Sequence, residues 1–142
     1  MLKIGSSYTK MIVADEQTIE KIVEISGDKN SIHLDKGYAK QSRFGQRIAH
    51  GLFCINAISM IIGNYMLGNG AILLIQNFQY KKPVYIDDRI EVTVSVVNCS
   101  SENIYTMRTL CKNQRGDIVL DGESVVKWEE IQEDKCNISL MN

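Results

Sequence analysis

Residues 50–63 read H-G-L-F-C-I-N-A-I-S-M-I-I-G, and the apolar run they open continues to Leu67. The spacing predicts a helix over 51–67, closed by Gly68-Asn69-Gly70. Apolar side chains fall nearly all round it, so it is expected to be buried on most sides. Asn56, Ser59 and Asn64 interrupt the run, which falls short of the about 20 apolar residues of a membrane span. One greasy helix needs a cover, and the residues after it supply one. Residues 71–80 form a mostly apolar strand, and a break follows at Lys81-Lys82-Pro83 and Asp87-Asp88. Residues 89–98 alternate cleanly, with Ile90, Val92, Val94 and Val96 on one face. Residues 103–112 and 117–128 make two more strands, joined at Asn113–Asp117 by a hairpin signal. The expectation is a meander of four strands.

Upstream the pattern is weaker. Residues 7–13 alternate as a strand. Asp15 can cap a helix whose stripe is Ile19, Ile22, Val23 and Ile25, and which stops at Ser26-Gly27. Residues 27–49 are polar, with one short helix expected around 35–41. A loop that long inside a compact domain is more often functional than idle. The order predicts an α+β arrangement in which a twisted antiparallel sheet wraps one long helix. The length suits one domain over 1–142, with a polar, peripheral tail at 129–142.

Composition narrows the function. A formal net charge of -1 argues against a nucleic-acid protein, which would normally carry a basic face. Cys54, Cys99, Cys111 and Cys136 form no C-x-x-C pair and no zinc-ligand spacing, so no metal is expected. The first ten residues lack an apolar signal core. The four cysteines therefore read as reduced thiols of a cytoplasmic protein. No glycine-rich fingerprint for nicotinamide or flavin is present, so no cofactor is expected.

The chemistry concentrates at residues 26–33, S-G-D-K-N-S-I-H. Asp28 and one of only two histidines, His33, stand five apart. Residues five apart share no helical face, so the two converge only where the chain turns, and Gly27, Asn30 and Ser31 suit a turn. Taken singly, Asp28 reads as a turn or capping aspartate and His33 as a loop histidine. Asp35 reads as solvated or helix-capping, His50 as structural, and Cys54 as an inert buried thiol rather than a nucleophile. Asn56 and Asn64 read as satisfying local hydrogen bonds. Arg43, Arg47, Lys81 and Lys82 are either surface charges or contacts for phosphates.

The segment I-S-G-D-K-N-S-I-H-L-D-K-G-Y-A, residues 25–39, resembles the signature of the MaoC-like (R)-specific enoyl-CoA hydratases. Their pattern is S-G-D-x-N-P-[hydrophobic]-H followed by Ala or Ser, here Ala39. F-G-Q-R-I-A-H-G-L, K-K-P-V-Y-I-D-D-R-I and G-E-S-V-V-K extend the resemblance across roughly residues 17–128. It implies a hot-dog fold and a homodimer with sheets joined edge to edge. It implies Asp28 and His33 as the catalytic pair and Gly51 as the backbone N–H that holds the thioester carbonyl. Asn30 matches the motif asparagine, and Ser59 matches a helix serine that supports the site. Ser31 departs from the family's proline, which would fix φ and stiffen the turn.

The implied reaction is reversible syn addition of water to a trans-2-enoyl thioester carried by coenzyme A or acyl carrier protein. It needs a base for water, a proton for C2, and a donor for the developing thioester oxyanion. A His/Asp pair and a helix N-terminal amide suit those tasks. Thioester hydrolysis and a non-catalytic acyl-binding role are the competing classes, because fold does not decide between them.

Overall fold

The computed structural model describes residues 2–130. Strand β1 is Ser7–Val13 and helix α1 is Glu16–Ser26. Asp15 caps α1 by accepting from the Thr18 N–H at 2.8 Å, and Gly27, at φ 70°, ends it with its N–H on the Val23 carbonyl. Two short helices follow, α2 at Ser31–Leu34 and α3 at Lys36–Gln41. The second is the one expected at 35–41; the first has too few residues to show a period. Helix α4 spans Leu52–Met60 and continues as a π-helix through Ile61–Met66. Strands β2 (Ala71–Tyr80), β3 (Arg89–Cys99), β4 (Ile104–Lys112) and β5 (Ile118–Trp128) complete the chain. Among the described residues no helix is long and apolar enough to cross a membrane.

All five strands join one antiparallel sheet in the order β1-β3-β4-β5-β2. This corrects the four-strand meander. Strands β3, β4 and β5 do run as a meander, but β2 is not the neighbour of β3. That side of β3 is taken by β1, paired from Ser7↔Ser95 to Val13↔Arg89. Strand β2 pairs instead with the free side of β5, and residues 81–88 cross back to β3. Periodicity marks a strand but carries nothing about its partner.

Helix α4 lies on the concave side of this sheet. Phe53, Cys54, Ala57, Ile58, Ile61 and Ile62 are buried against Ile90, Val92, Val94, Val96, Met107 and Val126. Burying each large aliphatic side chain contributes about 1.5–3 kcal/mol. The expectation of burial on most sides fails on one face. Asn56, Ser59, Asn64 and Tyr65 are exposed, because one sheet and α1 cover only part of a helix. Asn56 and Asn64 therefore have solvent as their partner. Strand β2 is also open, with Ile72, Leu73, Leu74 and Ile75 between 44% and 58% exposed.

Cys54, Cys99 and Cys111 are unpaired thiols. Cys136 and the tail from residue 131 lie outside the described residues.

Candidate active site

The turn that brings Asp28 to His33 is built from short polar side chains. The Ser26 hydroxyl accepts from the Asp28 N–H, and Asp28 Oδ1 accepts from the Asn30 N–H, both at 3.0 Å. Asn30 Oδ1 then accepts from the Ile32 N–H at 3.2 Å and caps α2. One turn of helix delivers His33 back toward the carboxylate. Its Nδ1 lies 2.7 Å from the Ile48 carbonyl. A carbonyl only accepts, so Nδ1 carries the hydrogen, and in the neutral ring Nε2 presents a lone pair. Nε2 stands 3.8 Å from Asp28 Oδ2. That gap is too long for a direct hydrogen bond and short enough for both atoms to reach one oxygen between them.

His50 supports this pair, a link that sequence reasoning missed. Its ring stacks on His33 with centroids 3.9 Å apart, and its Nε2–H donates to the Asp28 carbonyl at 3.0 Å. Its Nδ1 is buried without a partner. The donor atoms of Asp28, His33 and His50 lie within 4.8 Å of one another. Each imidazole has already committed one nitrogen to a backbone carbonyl, and the remaining His50 nitrogen is sealed from solvent.

Gly51 opens α4 next to this pair. It lines the same cavity, of about 360 Å³, as His33, His50, Cys54 and Tyr80. Among the described residues the Gly51 N–H meets no acceptor. It is an unpaired amide at a helix start, where the helix dipole favours negative charge.

The other candidates separate. Arg43, Lys81 and Lys82 line the cavity, whereas Arg47 turns away to pair with Glu16 of α1. Asp35 caps α3 through the Tyr38 N–H at 2.9 Å. Ser59 sits on the exposed face of α4, about 12 Å along the helix from Gly51, and makes no side-chain hydrogen bond among the described residues. Cys54 is buried in the cavity wall and faces Cys111 of β4. A hydrogen bond to Cys54, then burial, pushes the Cys111 thiol upward.

An antiparallel sheet wrapped on one helix defines a hot-dog protein, here with a carboxylate and an imidazole beside the helix start. The chain belongs to the MaoC-like domain family, which it matches over residues 5–113. It is 40% identical over 133 residues to a 3-hydroxybutyryl-CoA dehydratase of Methylorubrum extorquens, covering 93% of this chain and 84% of that one. It is 34% identical over 126 residues to an (R)-specific enoyl-CoA hydratase of Rhodospirillum rubrum, covering 88% and 87%. Among solved structures, an (R)-hydratase from A. caviae superposes with a TM-score of 0.86 at 28% identity, over 90% of this chain and 98% of that one.

Proposed function

We infer that the chain is a hydro-lyase that adds water reversibly across the double bond of a trans-2-enoyl thioester to give an (R)-3-hydroxyacyl thioester. One observation carries this reading. Across a gap of 3.8 Å, His33 Nε2 and Asp28 Oδ2 can share one water, and His33 lines the same cavity as Gly51, whose amide is unused. Water placed in that gap loses a proton to the pair as its oxygen attacks C3. The pair returns a proton to C2 from the same side, which makes the addition syn. The Gly51 N–H takes up the charge that grows on the thioester oxygen, an interaction whose loss costs on the order of 2.7–4 kcal/mol of barrier. Asn30 holds α2, and with it His33, in place.

The cations Arg43, Lys81 and Lys82 around the cavity suit a phosphate-bearing carrier, either coenzyme A or the phosphopantetheine arm of an acyl carrier protein. The two relatives described above are named for coenzyme A thioesters, and others are named for acyl-carrier-protein thioesters. Strand β2, an apolar sheet edge, is where a second copy extends the sheet into a homodimer. Unpaired thiols fit a reducing compartment, the cytoplasm.

The test is loss of the conjugated-enoyl absorbance of crotonyl-CoA. We expect Asp28→Asn and His33→Gln each to lower kcat by about 10²-fold or more. Native-like turnover in either variant removes that residue from the mechanism. Release of free thiol from an acyl-CoA would instead establish thioester hydrolysis.

A further inference from the structure

Gly51 adopts φ -55° and ψ -31°, ordinary right-handed helical backbone that any residue accepts. Backbone freedom therefore does not explain a glycine here. Space does. A Cβ built on Gly51 would lie 2.9 Å from the Tyr80 hydroxyl oxygen, 3.0 Å from Cζ and 3.2 Å from Cε1. The missing side chain points at an aromatic ring of the protein. The same ring holds Gly51 a second way, since its hydroxyl donates to the Gly51 carbonyl at 3.2 Å. Tyr80 ends β2, lines the cavity with His33 and Gly51, and pairs with Leu120 across the sheet. Burial first, then the neighbouring Cys54 and Cys111, push its phenol above the ordinary tyrosine value. The hydroxyl thus stays a donor throughout neutral pH.

We propose that Tyr80 is a positioning residue for the Gly51 amide. Its ring and hydroxyl fix the first peptide unit of α4 against the end of β2, and it is this ring, not the substrate, that a side chain at 51 would displace. The proposal rests on the hydratase reading, in which that amide receives the thioester oxygen.

Backbone carries the contact on one side, so relief comes through the ring. Gly51→Ala swings the ring away from the helix start, and with it the hydroxyl that holds the Gly51 peptide. Tyr80→Ala removes the obstacle.

A double-mutant cycle tests this, read in melting temperature and in kcat and KM with crotonyl-CoA. We expect Gly51→Ala alone to lower the melting temperature and to reduce kcat by about 10²-fold, the low end for a lost oxyanion donor. In the Tyr80→Ala background the same substitution is expected to cost at least tenfold less kcat and to leave the melting temperature unchanged. Tyr80→Phe keeps the ring and loses one neutral hydrogen bond. It is expected to lower kcat about two- to tenfold with KM unchanged. Equal losses from Gly51→Ala in both backgrounds would overturn the proposal, because the substrate would then be what excludes the methyl group. Should Gly51→Ala not fold, recovery of a folded chain on adding Tyr80→Ala supports it, and an unfolded double variant overturns it. An inactive native protein defeats the hydratase reading and this one together. An active native protein with an additive cycle defeats this one alone.

Discussion

Ser31 occupies the first position of α2, where a backbone N–H has no intrahelical partner. Proline is suited to that position, because it sacrifices only an unused donor and brings the right φ. The residue before it must then be extended, and Asn30 already is, at ψ 131°. The departure from the family motif therefore leaves the turn in place, held by Asp28 and Asn30 side chains instead of a ring. We expect Ser31→Pro to raise stability by about 0.4–1 kcal/mol, through a less free unfolded chain, and to leave kcat within about twofold of native. Urea titration and crotonyl-CoA turnover measure the two halves. A destabilised variant would mean that the Ser31 hydroxyl or N–H does work the hydrogen bonds do not record.

Between elements, the contact that matters most to the site joins α1 to the chain entering α4. Arg47 pairs with Glu16 and also reaches the His33 carbonyl at 3.5 Å. It ties the loop under the imidazole to the first turn of α1. The Arg47 hydrogen bond holds the Glu16 carboxyl below its ordinary range. As pH falls, the unfolded chain therefore takes up this proton first. The pair's contribution is complete at neutral pH and disappears as pH drops through the carboxyl range. Glu16→Gln is expected to melt below the native protein at pH 7, with the gap closing as pH falls below the ordinary carboxyl range. A gap independent of pH would assign the effect to packing.

The same scale shows what could be read in advance. Helix α4 and strands β3 to β5 announce themselves because their periods are local, and α1 carries both its cap and its stop within its own letters. The convergence of Asp28 and His33 is legible for a similar reason, since every hydrogen bond that makes the turn falls between residues 26 and 33. Tyr80 is different. Its partner Gly51 is 29 residues away, and the two meet only after β2 has crossed to the far edge of the sheet. Nothing in the letters around Tyr80 specifies that edge. His50 was visible as one of two histidines, but its stacking on His33 depends on the Ile48–Tyr85 bridge that closes the loop.

At the scale of the whole molecule, the two sheet edges are unequal. Strand β1 carries a half-buried Lys10 and exposes Met11 and Val13 only singly, whereas β2 presents four consecutive aliphatic side chains. An apolar edge of that kind invites a further strand, and a charge on it discourages one. We expect Leu73→Lys to halve the mass found by sedimentation velocity while leaving the far-ultraviolet circular dichroism unchanged. An unaltered mass would place the contact between copies elsewhere.

The loop that carries Asp28 and His33 is moored far more lightly than the sheet beside it. Its attachment at the entry to α4 comprises the Ile48 N–H on the Ile32 carbonyl at 3.2 Å, the Ala49 N–H on the Val84 carbonyl at 2.7 Å, the imidazole bond to Ile48, and the bonds of Arg47 and His50 to the His33 and Asp28 carbonyls. Native proteins open first where such restraints are few. Mild urea is expected to abolish turnover well before it lowers ellipticity, and coincident loss of the two signals would show the loop to be cooperative with the strands. In working life, then, this catalyst should fail by unlatching rather than by melting, and recover as quickly as the latch closes.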